Sequence, residues 1–283
     1  MEARFAIALL TIAMLCVSAM AQEDSASYWL NKGNESCERA INETQNQTAK
    51  DLFFQEAIKD YDNAIEIDPN SYIGWFKKGE ILAEFMGRFD EALNCSNKST
   101  EINPQFADAW YLKGKGLTVF GKYGEALKAY NESLRINPKS AEVWYWKASV
   151  LAETKNYDEA LKDYNEHLTV DPQSAKGWLE KGSVLKTLGH EDEANDALEK
   201  VITLSDESLK LNPKGTSAWF NKGAALYSQG KYNESIQCFD EIIKMTPRYY
   251  RSWYYKGLAL QNLGYDAEAE AAFAKAKELG FTG

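Results

Sequence analysis

The side chains able to do chemistry in this 283-residue chain are few. Its imidazoles are His167 and His190, and its thiols are Cys16, Cys37, Cys95 and Cys238. A metal centre needs such groups clustered at ligand spacing, and a nucleophilic centre needs a base beside the nucleophile. The sequence offers neither. No CxxC pair occurs, and neither histidine lies near a cysteine or in an acidic cluster of metal-ligand spacing. No glycine-rich phosphate loop follows a strand, because no alternating strand pattern is present. The expectation is a protein that is not an enzyme and carries no metal or cofactor, with packing roles for both histidines. The remaining chemistry is modification. Seven N-x-S/T sequons occur, of which Asn42, Asn46, Asn97, Asn131 and Asn233 are glycan candidates in an exported chain. Asn34 faces a helix wall and is a poor one.

The elements that position these residues repeat. Trp stands at 29, 75, 110, 144, 178, 219 and 253, and each of the six prolines (69, 104, 138, 172, 213 and 247) precedes the next Trp by six residues. One unit runs Trp110, Gly114, Leu117, Tyr123, Ala126, Tyr130, Pro138, and the next begins at Trp144, 34 residues after the first. A fixed period of this size marks a solenoid, in which each unit touches only its neighbours. No proline interrupts a helical stretch, where it would cost ~3 kcal/mol. The order W, G, A, aromatic, P resembles the tetratricopeptide repeat (TPR), over about 255 residues from Ser25 onward. That resemblance implies an all-α solenoid, a right-handed superhelix of about seven helix–turn–helix units. These span about 26–71, 72–106, 107–140, 141–174, 175–215, 216–249 and 250–283.

Within the units, small residues such as Gly114 and Ala148 face a neighbouring helix. Gly121 and Gly230 suit the left-handed turn between helices. Asp90, Asp158 and Asp192 are expected to cap second helices. Repeat one carries polar extra residues around 43–51 (ETQNQTAKD), read as a lengthened loop or frayed helix end that also holds Asn42 and Asn46. Repeat five carries seven extra residues upstream of Asp206. Leu198, Val201, Ile202 and Leu209 keep an apolar stripe there, which predicts one longer helix projecting about 10 Å. In the last repeat, the Ala-rich helix either exposes little apolar area or supports self-association end to end.

Residues 1–21 have the form of a secretory signal peptide: Arg4, an apolar run from Phe5 to Val17, then Ala19-Met20-Ala21 before Gln22. The alternative is an uncleaved anchor. No other stretch is long and apolar enough to span a membrane. An exported chain starting at Gln22 would leave three cysteines, an odd number. Free core thiols are the favoured reading, although Cys37 and Cys95 lie in adjacent repeats. The net charge of -10 argues against nucleic acid as a partner.

TPR proteins bind peptides or proteins in a groove lined by first helices. By that resemblance the residues after each Trp, including Tyr111, Tyr145, Phe220 and Tyr254, face the groove. Lys176 and Arg251 stand two before their Trp, and Lys186 is a further cation on the same half. Asn221, two after Trp219, occupies a position where family members hold a ligand's backbone. No Lys directly follows any Trp of the column, so the family's chaperone-binding carboxylate clamp is absent. Each repeat instead has Lys three after Trp, expected to lay its stem across the helix pair. Glu80, Glu84, Asp108 and Glu142 give the first half of the groove an acidic character, and the second half is basic. The expected function is an exported protein- or peptide-binding scaffold. The alternative is a structural component of a cell-surface or envelope assembly.

Overall fold

The computed structural model describes residues 25–43 and 46–282. The signal-peptide segment 1–21 lies outside the described residues. Among the described residues there are fourteen helices and no strand. The chain divides into two compact units, one through Pro138 and one from Lys139.

The first unit holds α1 (Ala26–Asn42), α2 (Gln47–Ile67), α3 (Tyr72–Glu84), α4 (Phe89–Ile102), α5 (Ala107–Val119) and α6 (Tyr123–Ile136). The second holds α7 (Ala141–Glu153), α8 (Tyr157–Val170), α9 (Ala175–Thr187) and α10 (Glu191–Leu211). It continues with α11 (Thr216–Ser228), α12 (Tyr232–Met245), α13 (Tyr250–Asn262) and α14 (Asp266–Glu278). Each odd-numbered helix pairs with the even-numbered helix that follows, and within each unit the pairs stack in chain order.

The recurring residues have specific physical work. A Cβ added at Gly33 would meet the Tyr61 ring at 2.6 Å, at Gly114 the Tyr130 ring at 2.4 Å, and at Gly257 the Phe273 ring at 2.6 Å. The column must therefore be small for paired helices to close at interior packing density. The Pro-to-Trp spacing is also explained. The indole N–H of Trp110 donates to Pro104 O at 3.0 Å, and Trp75, Trp178, Trp219 and Trp253 do the same to the proline six residues earlier. Each of these five Trp thus ties the start of its own repeat to the turn that leads into it. Near the end of second helices, Ser99 Oγ donates to Tyr72 O and Ser133 Oγ to Ala107 O, both at 2.9 Å. His167 makes the equivalent contact, with Nδ1 2.9 Å from Ala141 O.

The Lys three after each Trp does more than lay its stem across the pair. Lys32, Lys147 and Lys181 hold their ammonium groups 4.4, 5.0 and 4.9 Å from the centres of their own Trp rings. Most also reach an aspartate on a second helix. Lys78–Asp62, Lys222–Asp206 and Lys256–Asp240 link successive repeats at 2.5, 2.6 and 2.6 Å, whereas Lys147–Asp163, at 3.1 Å, stays within one.

Two expectations are corrected. The extra residues of repeat one extend helices rather than a loop: α1 has 17 residues and α2 has 21, against 13 and 14 in repeat three. Asn42 is the last residue of α1. Asn46 is the N-cap of α2, its side chain accepting from Ala49 N at 3.1 Å. Asp90, Asp158 and Asp192 are not caps; Arg88, Asn156 and His190 hold those positions without a side-chain cap bond. The aspartates sit inside the first turn, where their charge favours the helix N-terminus. The turns after first helices do use the left-handed region, at Gly121 (φ 67°) and Gly230 (φ 77°), but Lys155 adopts it too, at φ 62°. In repeat five, α10 is one continuous helix of 21 residues, as the apolar stripe predicts.

Candidate functional site

Within residues 139–282 the first helices α7, α9, α11 and α13 touch one another in succession, while the second helices touch only first helices. The row is therefore tighter on the first-helix side, and that side is the natural groove. Its centre is a cluster from four repeats. Lys176 on α9 lies over the Tyr145 ring of α7, with Nζ 3.8 Å from the centroid and 5.4 Å from that of Trp146. Arg251 on α13 lies over the Phe220 ring of α11 at 4.7 Å. The half-buried Glu180 is within electrostatic reach of both cations and takes a hydrogen bond from the Tyr145 hydroxyl. Burial raises the Glu180 pKa; Lys176, Arg251 and the Tyr145 bond pull against that rise without cancelling it. Burial likewise pushes the Tyr145 phenol above its ordinary range. Glu142, nearby on α7, accepts from the Trp146 indole at 3.1 Å.

This arrangement presents two cations, each over an aromatic ring, within electrostatic reach of a carboxylate whose charge burial disfavours. It can hold a segment offering a carboxylate to Lys176 and Arg251 and a donor to Glu180. Glu180 was not among the sequence candidates. Its signal was available, because it stands two after Trp178, the column that Asn221 occupies in the next repeat.

The other candidates separate. Tyr145 is only 7% exposed, so it is a platform beneath Lys176 rather than an open groove residue. Lys186 donates to the Ser228 carbonyl and caps the C-terminal end of α11. The Tyr254 ring is 4.2 Å from Phe281, which covers it from the C-terminal tail, and 5.8 Å from Phe273. Asn221 lines a cavity beside the last turns of α10. Tyr111 belongs to the first unit, 6.4 Å from the Tyr130 ring and with Lys115 over it at 5.5 Å. Lys115 in turn pairs with Glu84, and Glu80 pairs with Lys77 at 2.9 Å, so these two acids are engaged.

Cys37, Cys95 and Cys238 are free, and burial pushes the Cys95 and Cys238 thiols up to about 11. Among the described residues no group of three His, Cys, Asp or Glu is placed to hold a metal ion, and no helix is long and apolar enough to cross a membrane. Of the sequons, Asn131 and Asn233 are exposed on α6 and α12, and Asn97 is half-buried on α4.

Family models described as tetratricopeptide repeat match residues 84–141, 111–175, 175–208, 216–249 and 250–279. No curated protein matches the chain. Among solved structures, a tetratricopeptide repeat protein from Parabacteroides merdae ATCC 43184 is 18% identical, covering 89% of this chain and 94% of its own, with a TM-score of 0.65. A chain of the APC/C hetero-tetramer Cut9–Hcn1 is 14% identical, covering 89% and 50%, with a TM-score of 0.63. MamA is 20% identical, covering 59% and 99%, with a TM-score of 0.54. At these identities the likeness is one of fold.

Proposed function

The chain belongs to the tetratricopeptide repeat family, and from that membership we propose that it is an exported scaffold that binds an extended protein segment on its first-helix face. The observation that carries this reading is the Lys176–Glu180–Arg251 cluster, framed by Tyr145 and Phe220. Such stacked cations are oriented before a partner arrives, which lowers the entropy cost of binding. The segment carries at least one carboxylate for Lys176 and Arg251, and presents a backbone or side-chain N–H to Glu180. Aromatic residues around the cluster add apolar contact. The Cut9–Hcn1 assembly offers a precedent for a chain of this fold joined to another protein. With a net charge of -10, the scaffold repels acidic partners at long range, so binding depends on the local cluster and weakens with salt.

Export rests on residues 1–21, and it makes Asn131 and Asn233 the favoured glycan acceptors. N-terminal sequencing of the native protein tests export: a start at Gln22 supports it, and a start at Met1 in soluble cytosol overturns it. The binding reading is tested by selecting peptides from a displayed random library on the wild-type chain. The selected peptides are then measured against Lys176→Glu and Arg251→Glu. Acidic selections that lose affinity for both folded variants support the site, and selections indifferent to both overturn it.

A further inference from the structure

We propose that His167 is a positioning residue for Lys176, and that a proton taken up by its ring in acid releases Lys176 from the Tyr145 ring. His167 is 5% exposed and lies in the last turn of α8, where it touches both α7 and α9. Its Nδ1 stands 2.9 Å from Ala141 O. A carbonyl oxygen only accepts, so Nδ1 donates, and in the neutral ring Nε2 carries the lone pair. Nε2 is buried without a hydrogen-bond partner among the described residues. It faces the backbone of Gly177, where an added Cβ would lie 2.4 Å from it. That glycine is what admits an imidazole here. Ten residues separate the two, and the same step runs from Ser99 to Ala109 and from Ser133 to Val143. Ser99 and Ser133 bond the opening carbonyl of their first helices as His167 does, but through a hydroxyl. Only repeat four puts a group that titrates near neutral pH in this column.

Both supports of Lys176 touch this ring. Lys176 directly precedes Gly177 in the first turn of α9, where Ser174 Oγ accepts from Gly177 N at 3.1 Å. Tyr145, over which Lys176 lies, meets the His167 ring edge to face, with centroids 5.5 Å apart. A second proton, on Nε2, would set a charged N–H against a glycine, and a buried charge left unpaired is costly. The neighbouring titratable groups are already engaged. From α7, Tyr145 bonds Glu180, and Lys147 lies 3.1 Å from Asp163. On α8 itself, Asp163 is held by that lysine, Tyr164 is hydrogen-bonded to Ser149, and Glu166 is exposed. From α9 come the cation Lys176 and Glu180, which takes the Tyr145 bond. The proton is therefore accepted as the ring swings away from Gly177, and the C-terminal end of α8 then favours the cation. That motion removes the edge that supports Tyr145 and loosens the turn that carries Lys176. The consequence for binding rests on the first-helix reading: the cluster takes its segment near neutral pH and releases it in acid. The position of Lys176 does not rest on that reading.

The test is an NMR titration of the full chain, carrying ¹³C-labelled lysine, from about pH 8 to about pH 5, the range in which histidine takes up its proton. No ligand is needed. The ε-methylene protons of Lys176 lie over the Tyr145 ring, so its ring current displaces them upfield. That displacement is expected to be lost in step with the titration of the His167 Cε1 proton. His167→Ser keeps a donor for Ala141 O, and the displacement should then persist across the whole range. The double variant His167→Ser/Gly177→Ala copies the pair Ser99 and Ala109 and should behave alike; it serves if the single variant melts early. Gly177→Ala alone pushes the ring out and should lose the displacement at the upper end of the range. The proposal is overturned by a displacement that survives protonation of His167, or by a His167 ring still unprotonated at the lower end. It is equally overturned by a loss that recurs in the serine variants, where Glu180 still titrates, or by a Gly177→Ala chain that keeps the displacement. Failure here is distinct from failure of the first-helix site, which is read by peptide binding to Arg251→Glu.

Discussion

Lys222 Nζ lies 2.6 Å from Asp206 Oδ1, so the first helix of repeat six reaches back to the second helix of repeat five. The same 16-residue spacing joins Lys78 to Asp62 and Lys256 to Asp240. At Lys181 the corresponding residue is the exposed Asn165, and burial lowers the lysine's pKa. Asn165→Asp should supply the missing carboxylate. The expected gain is about 0.2–1 kcal/mol at low salt, fading as salt is added. It should be accompanied by a rise in the Lys181 pKa, measured by NMR titration of its ε-methylene group. A Lys181 pKa unmoved by the substitution would show that this column does not link the repeats as described.

Lys155 holds φ at 62°, in a turn position where five other repeats place Gly87, Gly121, Gly189, Gly230 and Gly264. An L-residue with a Cβ pays about 1–2 kcal/mol there. Lys155→Gly should recover about 1 kcal/mol, the greater flexibility of the unfolded glycine offsetting part of the relief. Chemical denaturation of the two proteins checks it, and a destabilised variant would contradict the backbone assignment.

Burial raises the pKa of Glu180 in the folded chain. The folded state therefore holds the proton more tightly than the unfolded one. Stability should be greatest below the ordinary glutamate value of about 4.3 and fall as pH rises to the higher folded value. Glu180→Gln keeps an acceptor for the Tyr145 hydroxyl but removes the buried charge. It should melt higher than wild type at neutral pH and show a shallower pH slope. Asp60 and Asp163, also raised by burial, retain the rest of that slope. A variant that melts lower at pH 7 would mean that the two cations outweigh the burial.

The fold could be read from the sequence because its constraints recur. A Trp whose indole meets a proline carbonyl, and a small residue that must admit a neighbouring side chain, leave columns that recur from repeat to repeat. Single features were harder. The run ETQNQTAKD has little apolar periodicity, so its helical continuation into α2 was hidden. The aspartate caps were misplaced because the backbone starts each of these second helices at the residue before them, Phe89, Tyr157 and Glu191. Among the site residues, Lys176 and Arg251 both lie within electrostatic reach of Glu180. Glu180 was overlooked because only an Asn was sought in its column. The cavity that Asn221 lines was not visible, because a column count does not show where the end of α10 goes once the helix is lengthened.

The most direct measurement is isothermal titration of one acidic peptide, selected on the wild-type chain, into wild type and Arg251→Glu at two salt concentrations. Arg251 donates in a planar fork, and its loss at a carboxylate contact costs about 1.5–3 kcal/mol, or roughly tenfold to a hundredfold in Kd. Binding by wild type that weakens with salt, and a loss of that size in folded Arg251→Glu at the lower salt, is the expected result. Equal affinity of the two proteins at both salt concentrations would contradict the assignment of the first-helix cluster as the binding site.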